Sequence, residues 1–341
     1  MIVFDRIIAS LQHTGGASVL FNELASRMYR DDVRYEEYGY KATEVTRPHF
    51  RLLPKRLAER YRRFPTSVLA GNASVAVFHS TCYRVPDRRV RATVTTVHDF
   101  TYEHVIGGLK RLVHSAQKND AIRRSDLLVC VSHNTRADLL NFVPDVDPRK
   151  IVVVHNGVSD RFHPVHEPAD RPYVLYVGQR VSYKNFQSLV VALAAMPDLQ
   201  LRCVGGGSFT EAEQRVLSRL LPGRFLHLGY VDEVSLNRAY AQAFCFAYPS
   251  LYEGFGIPIL ESMRAGCPVV AVNNSSIPEV SGGAATLAED GSPEALRVAI
   301  QALFVSEYRN KVINAGFRHS AGFGWERHYN EMMAAYNKVM Q

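Results

Sequence analysis

Short apolar runs alternate with amphipathic helical stretches over most of this chain, and no other feature constrains the fold as much. The pattern is that of an α/β architecture with parallel sheets. In the first half, strands are expected near Ile2–Phe4, Ala76–His79, Thr93–Val97, Leu127–Val131 and Ile151–Val154. Helical patterns fall at Ala17–Tyr29, Leu109–Arg124 and Asn134–Phe142, with Ser132 placed to cap the third. The second half restarts the alternation. Strands fit Tyr173–Val177, Gln200–Val204, Phe225–Leu228, Cys245–Tyr248, Pro268–Val272 and Ala285–Leu287. Helices fit Phe186–Ala195, Glu211–Leu220, Glu233–Ala243, Pro258–Ala265 and Pro293–Val305.

The 341 residues suit two domains of about 150 residues each. Between the two halves, His163–Pro172 holds three prolines and two histidines and reads as a linker. Two domains are therefore expected, over 1–163 and 172–322, with a C-terminal helix over 323–341 packing back on the first. Tandem doubly wound domains place ligands at the carboxyl ends of their strands, in the cleft between them.

Lys and Arg number 40 against 33 Asp and Glu, an excess that suits an anionic partner such as a nucleotide phosphate or an acidic membrane surface. Cys82, Cys130, Cys203, Cys245 and Cys267 are scattered and odd in number, which argues for reduced thiols rather than a disulfide frame or a zinc site. Asp5 and Arg6 interrupt the first apolar run, so no signal peptide is expected. No apolar stretch reaches the ~20 residues a membrane span needs. The expected location is the cytoplasm or the inner face of the cytoplasmic membrane.

The most informative segment is YPSLYEGFGIPILESMRAGCPVVA, from Tyr248. A strand ends at Tyr248, and Pro249 and Ser250 break it. Gly254 and Gly256 permit backbone conformations closed to other residues. Pro258 suits the first turn of a helix, where its missing amide hydrogen would have no partner anyway. Gly266 and Pro268 end that helix. A short helix thus directs its amide groups and positive dipole end at a glycine loop, a site suited to phosphate. Glu253 lies in the loop and Glu261 about a turn into the helix. One carboxylate could assist at a sugar, and the other could accept hydrogen bonds from ribose hydroxyls.

This segment closely resembles the signature of glycosyltransferase family 4, whose pattern is a Glu, seven residues and a second Glu, here Glu253 and Glu261. The resemblance implies a GT-B fold, two Rossmann-like domains facing across a cleft, and retaining transfer of a sugar from a nucleotide-sugar donor. It also implies donor contacts from Gly254, Phe255, Gly256 and Ile257. Other segments resemble the family in the same order. YVGQRVSYKN, from Tyr176, is similar to the loop that puts an Arg and a Lys on the donor diphosphate. Lys184 aligns cleanly. Many relatives carry the Arg where this chain has Gln179, and Arg180 is the candidate here.

HTGGASV, from His13, resembles the amino-terminal glycine loop, so Gly15 and Gly16 are expected to approach the diphosphate. TVTTVHDFTYE places His98 and Asp99 at a strand end, where the family often has a sugar-contacting His. HLGYVDE puts Tyr230 and Val231 where the family recognises the nucleobase. The string Asp145–Val146–Asp147 could be a metal-binding pair, but Pro148 follows it and it reads as a turn. The resemblance implies that no metal or other cofactor is needed, the helix dipole and the basic pair supplying the positive charge.

RPHFRLLPKRLAERYRRF, from Arg47, carries seven basic residues and one acid. From Pro54 onward its spacing suits an amphipathic helix with a basic face, which would give peripheral membrane contact through 47–63. No nucleic-acid module appears. The resemblance implies transfer of a hexose, GDP-mannose being the first choice of donor, to a lipid-linked or saccharide acceptor in O-antigen-like polysaccharide synthesis. The alternative is a catalytically degenerate GT-B protein that binds nucleotide sugar or acts as a scaffold.

Overall fold

The apolar runs pair as parallel strands in two separate sheets. The structure, a computed structural model, describes residues 1–12, 15–40, 49–54, 58–69, 75–165, 167 and 169–341. The chain divides into two compact units. One holds Met1–Gly157 with Trp325–Gln341, and the other holds Val158–Gly324.

Among the described residues, the sheet of the first unit has seven strands. They are β1 (Ile2–Asp5), β2 (Tyr35–Gly39), β3 (Phe50–Leu52), β4 (Val77–Ser80), β5 (Thr93–Val97), β6 (Leu127–Cys130) and β7 (Ile151–Val153), in the spatial order β3-β2-β1-β4-β5-β6-β7. The second sheet has six: β8 (Tyr173–Val177), β9 (Gln200–Val204), β10 (Phe225–His227), β11 (Cys245–Tyr248), β12 (Val269–Val272) and β13 (Thr286–Ala288), in the order β10-β9-β8-β11-β12-β13. Every pairing is parallel, and the strand order reverses between β1 and β4 and again between β8 and β11. In a doubly wound sheet that reversal opens a crevice at the strands' carboxyl ends, because the flanking connections leave in opposite directions.

The central strands β1, β4 and β11 are buried throughout, and β8 is buried in all but its last residue, as parallel strands covered on both faces are. Two strands of the first unit have no counterpart in the apolar pattern. In β2, Glu36 and Glu37 interrupt the tyrosines, yet all five residues are buried. Arg6 neutralises Glu37 at 3.0 Å, and the Tyr38 hydroxyl donates to Glu36 at 2.6 Å. A second buried network centres on Arg84. Its guanidinium reaches Asp5 at 3.3 Å, Glu59 at 3.0 Å and the Tyr40 hydroxyl at 2.7 Å. Breaking such a pair strands the remaining charge in a dry interior, at a cost of about 3–5 kcal/mol.

That network also corrects the expected basic helix. Residues 47, 48 and 55–57 of that segment lie outside the described residues. In the described part, Ala58 is left-handed (φ 55°) and Glu59–Tyr61 form a single 3-10 turn before Arg62 extends. Glu59 is drawn inward by Arg84, so among the described residues of the segment the spacing does not translate into a helical face.

The linker also lies earlier than expected. The chain enters the second unit at Val158. Phe162 is buried against Tyr240, and the His163 amide donates to Asn237 at 3.0 Å. Of the expected linker, His166 and Pro168 lie outside the described residues. The final helix, Trp325–Met340, belongs to the first unit and packs on helix Gly16–Arg30 and β4. Trp325 covers Gly157 so closely that a Cβ there would lie 2.6 Å from its ring. Tyr336 meets His79 at 2.6 Å, and Thr96 takes the other ring nitrogen at 2.8 Å.

Burial lowers the pKa of His79 to about 3, of His114 to about 4 and of His328 to about 4, and it lowers that of His98 as well. All four stand in the first unit. Each is neutral when folded and takes a proton near pH 6.5 when unfolded, so each withdraws stability as pH falls below 6.5. Asp5, lifted to about 6 by burial against the pull of Arg84, partly opposes this. Unfolding of the first unit near pH 5 should therefore take up on the order of three protons. Trp325, the one tryptophan of the chain, reports that unit alone. The denaturation midpoint followed by its fluorescence should fall steeply between pH 6.5 and 5. A flat profile would contradict the buried-histidine account.

Candidate functional site

In the second unit, the two loops that diverge from the strand-order reversal carry Lys184 and Glu253. The loop after β8 runs Gly178–Asn185 and the loop after β11 runs Pro249–Gly256. Lys184 donates to Glu253 at 2.5 Å, with both side chains mostly buried. The ammonium also lies 5.6 Å from the centre of the Tyr248 ring. Burial, with the neighbouring Glu253 carboxylate, drives the Tyr248 phenol well above its ordinary pKa, so it stays a neutral donor. The Leu251 amide donates to the Tyr183 carbonyl at 2.8 Å, tying the loops together beside the pair.

A third loop braces this arrangement. After β12, Ser275 is held left-handed (φ 46°), and its hydroxyl accepts the Glu253 amide at 3.0 Å. The Ser276 hydroxyl lies 3.0 Å from the Glu253 carbonyl and 2.9 Å from that of Phe255. Ser276 is fully buried and fixes the glycine loop from behind. Gly256, at φ 110°, starts the helix Ile257–Arg264, and a side chain there would be strained. Gly254 lies in the same buried loop. The side chains of Phe255 and Ile257 are buried, Phe255 against Phe323. These two residues can face a ligand only through their backbone, which narrows the role expected of them.

Arg180 does not join Lys184. Its Nε donates to Glu213 at 2.8 Å, and the other nitrogens donate to the carbonyls of Gly205, Gly207 and Ser208 at 3.2, 2.9 and 2.9 Å. The guanidinium stacks over Phe209 at 4.8 Å and is almost wholly buried. Arg180, expected as a diphosphate ligand, braces the glycine loop after β9 in the free protein. That loop needs bracing: Gly205, Gly206 and Gly207 all have φ near +75°, and a Cβ on Gly206 would meet the Gly178 carbonyl at 2.6 Å. Beside it, the loop after β10 carries Tyr230, 70% exposed, and Val231, half-buried. The Gly205 amide donates to the Gly229 carbonyl at 2.9 Å and joins the two loops.

Glu261 stands apart from Glu253. It accepts a hydrogen bond from the Tyr240 hydroxyl at 3.0 Å through Oε2. Burial pushes its carboxyl up to about 7, against the pull of that bond.

In the first unit, Gly15 caps and Gly16 begins the helix Gly16–Arg30; His13 and Thr14 lie outside the described residues. Gly15 has φ −82°, so its dihedral does not demand glycine. His98 follows β5. Its Nε2 donates to the Thr81 carbonyl at 3.1 Å, which fixes the tautomer and leaves Nδ1 an acceptor. Burial lowers its pKa, so it stays neutral. Asp99 is committed locally. It accepts the Thr101 amide at 2.9 Å, and the buried Lys118 donates to its carbonyl at 2.9 Å. Burial raises the Asp99 carboxyl, but the Lys118 charge and the Thr101 amide hold it below the usual carboxylate range. In the free protein these contacts shape the loop after β5. The Asp145–Asp147 string is a turn: Asp145 pairs with Arg123, and Asp147 caps the 3-10 turn Pro148–Lys150.

Two doubly wound units, the second with a cation–carboxylate pair and a helix start at its strand-order reversal, define the class of tandem Rossmann-like transferases with the GT-B fold. Comparison with known proteins narrows this. The family model described as Glycosyltransferase Family 4 matches residues 14–162, and that of Glycosyl transferases group 1 matches residues 159–319. The O-antigen chain mannosyltransferase B of Escherichia coli is 30% identical over 76% of this chain and 74% of its own length. Sucrose-phosphate synthase from Thermosynechococcus elongatus superposes with a TM-score of 0.82 at 20% identity, over 99% of this chain and 98% of that one. Anabaena Alr3699/HepE, in complex with UDP-glucose, gives 0.78 at 19% identity, over 99% of each chain. The chain belongs to glycosyltransferase family 4.

The raised pKa of Glu261 has a signed consequence. The folded chain holds that proton up to about pH 7, whereas the unfolded chain releases it near 4.5, so this group withdraws stability as pH rises from 4.5 to 7. Glu261→Gln should raise the melting temperature at pH 8 by about 2–5 °C and have little effect at pH 5. Thermal unfolding at the two pH values checks this. Equal shifts, or destabilisation at pH 8, would contradict it.

Proposed function

We propose that this protein is a retaining hexosyltransferase. It moves a hexose, mannose from GDP-mannose by first preference, to a lipid-linked or saccharide acceptor in the assembly of a surface polysaccharide. The observation that carries the reading is the Lys184–Glu253 pair at the strand-order reversal of the second unit, beside the start of helix Ile257–Arg264. In the free protein Glu253 neutralises Lys184. A donor diphosphate offers that ammonium a stronger partner and releases the carboxylate toward the sugar. The preference for mannose is supported by likeness to the Escherichia coli O-antigen chain mannosyltransferase. A nucleotide-sugar donor is supported by the UDP-glucose held by the Anabaena protein of like fold.

In this reading the bond between the sugar's anomeric carbon and the diphosphate oxygen breaks. The bond to the acceptor oxygen forms with the configuration kept, and the proton of that hydroxyl passes to the departing nucleoside diphosphate. The negative charge that develops on the diphosphate meets Lys184 and the amide end of helix Ile257–Arg264. Glu253 positions the donor sugar rather than attacking it. His98, neutral and with Nδ1 as an acceptor, takes a sugar hydroxyl. Glu261 accepts from the ribose and Tyr230 stacks on the base. No metal enters the proposal.

A thermal-shift screen with GDP, UDP and their hexose conjugates tests it, because a ligand of the folded state raises the midpoint with concentration over Kd. GDP and GDP-mannose should give the largest shifts. Transfer in the presence of a chelator should be undiminished and yield an α-linked product from the α-linked donor. No shift with any nucleotide, together with no hydrolysis or transfer, would overturn the reading.

A further inference from the structure

Helix Gly108–Arg124 of the first unit buries one face, with His114, Lys118, Ala121 and Ile122. Its first two turns stand clear of the body, and every residue from Gly107 to Val113 is exposed. Those turns are not polar. Leu109 is 74% exposed, Leu112 66% and Val113 43%, with Val105 just before them at 40%. Leu109, Leu112 and Val113 fall at i, i+3 and i+4, so they share one face, roughly half a turn from the buried one. Two leucines this exposed on a single helix face are not the scattered apolar residues of an ordinary surface.

The surroundings are basic. Lys110 and Arg111 sit between the leucines, and no acid occurs between Glu103 and Asp120. Glu103 is occupied by the buried Lys118 at 2.7 Å. The basic turn 59–63 is fastened alongside: Gln117 donates to the Arg60 carbonyl at 2.6 Å, and Arg63 pairs with Asp120 at 3.2 Å. That turn adds Arg62 and Tyr61, the tyrosine 52% exposed. Apolar side chains on a protruding helix end, ringed by cations and an exposed tyrosine, match an anionic lipid surface, in which leucines enter the acyl boundary while Lys and Arg meet the headgroups. A second copy of the chain would set these cations against cations of the same kind.

We propose that the first two turns of helix Gly108–Arg124, with the adjoining turn 59–63, form the face by which this protein docks on an anionic membrane surface. Among the described residues no helix is long and apolar enough to cross a membrane, so the contact is peripheral.

Flotation of the full chain with vesicles tests this, using phosphatidylcholine alone and phosphatidylcholine with about one third phosphatidylglycerol. The chain should float with the anionic vesicles and not with the neutral ones, and high salt should weaken the binding. Leu109→Glu with Leu112→Glu, and separately Lys110→Glu with Arg111→Glu, should each reduce binding by about tenfold or more. Circular dichroism should be unchanged, as all four side chains are exposed. The nucleotide thermal shift should also be unchanged, which separates failure here from failure of the transferase reading. Absence of anionic-vesicle binding at low salt, or variants that bind like the parent, would overturn the proposal. So would loss of a dimer, seen by sedimentation, in the leucine variant, because the face would then belong to a second copy.

Discussion

The pair formed by Lys184 and Glu253 at 2.5 Å is the interaction on which the candidate site depends. It stands where the strand order of the second sheet reverses, at the ends of β8 and β11. Parallel strands buried on both faces leave the chain only its strand ends for polar work. The reversal is the one place where two such ends diverge and leave room for a ligand. The rest of the second unit supports the pair at close range. Ser275 and Ser276 hold the glycine loop, Tyr183 and Leu251 tie the two loops, and Arg180 braces the neighbouring turn. The proposed function rests on this mostly buried cation exchanging its carboxylate partner for a diphosphate.

The first unit is organised by a different economy of charge. Arg84, Arg6, Asp5, Glu37 and Glu59 are all buried and mutually compensated, and four histidines are kept neutral by burial. Buried ion pairs add little net stability, but they penalise any arrangement that leaves one member alone. They fix how the turn at Glu59, the end of β1 and the segment at Arg84 meet. Gln117 and Asp120 in turn hold the basic turn 59–63 against helix Gly108–Arg124.

Where the sequence speaks in apolar runs, it was legible. Tyr173–Val177, Gln200–Val204, Cys245–Tyr248 and Thr93–Val97 stand where the pattern puts them. β2 and β3 were illegible because Glu36, Glu37 and Arg51 hide the strands, and the cations that make Glu37 and Glu36 tolerable, Arg6 and Arg51, are distant in the chain. Helix Ser306–Ser320 was missed because its composition is largely polar. In the candidate site, Lys184 and Glu253 were found by motif and are brought together by the fold. The partners of Arg180 in the free protein, Glu213 and three carbonyls, gave no sequence signal because they are 25 to 33 residues away. Ser275 and Ser276 gave no signal beyond a pair of serines after a strand.

The central claim is that Lys184 is the cation that receives the donor diphosphate. Calorimetric titration of the preferred nucleoside diphosphate into the parent protein and into Lys184→Met measures this directly. The account expects affinity to fall by about tenfold or more in the variant, with the far-ultraviolet spectrum unchanged. Equal affinity in a folded variant would contradict it.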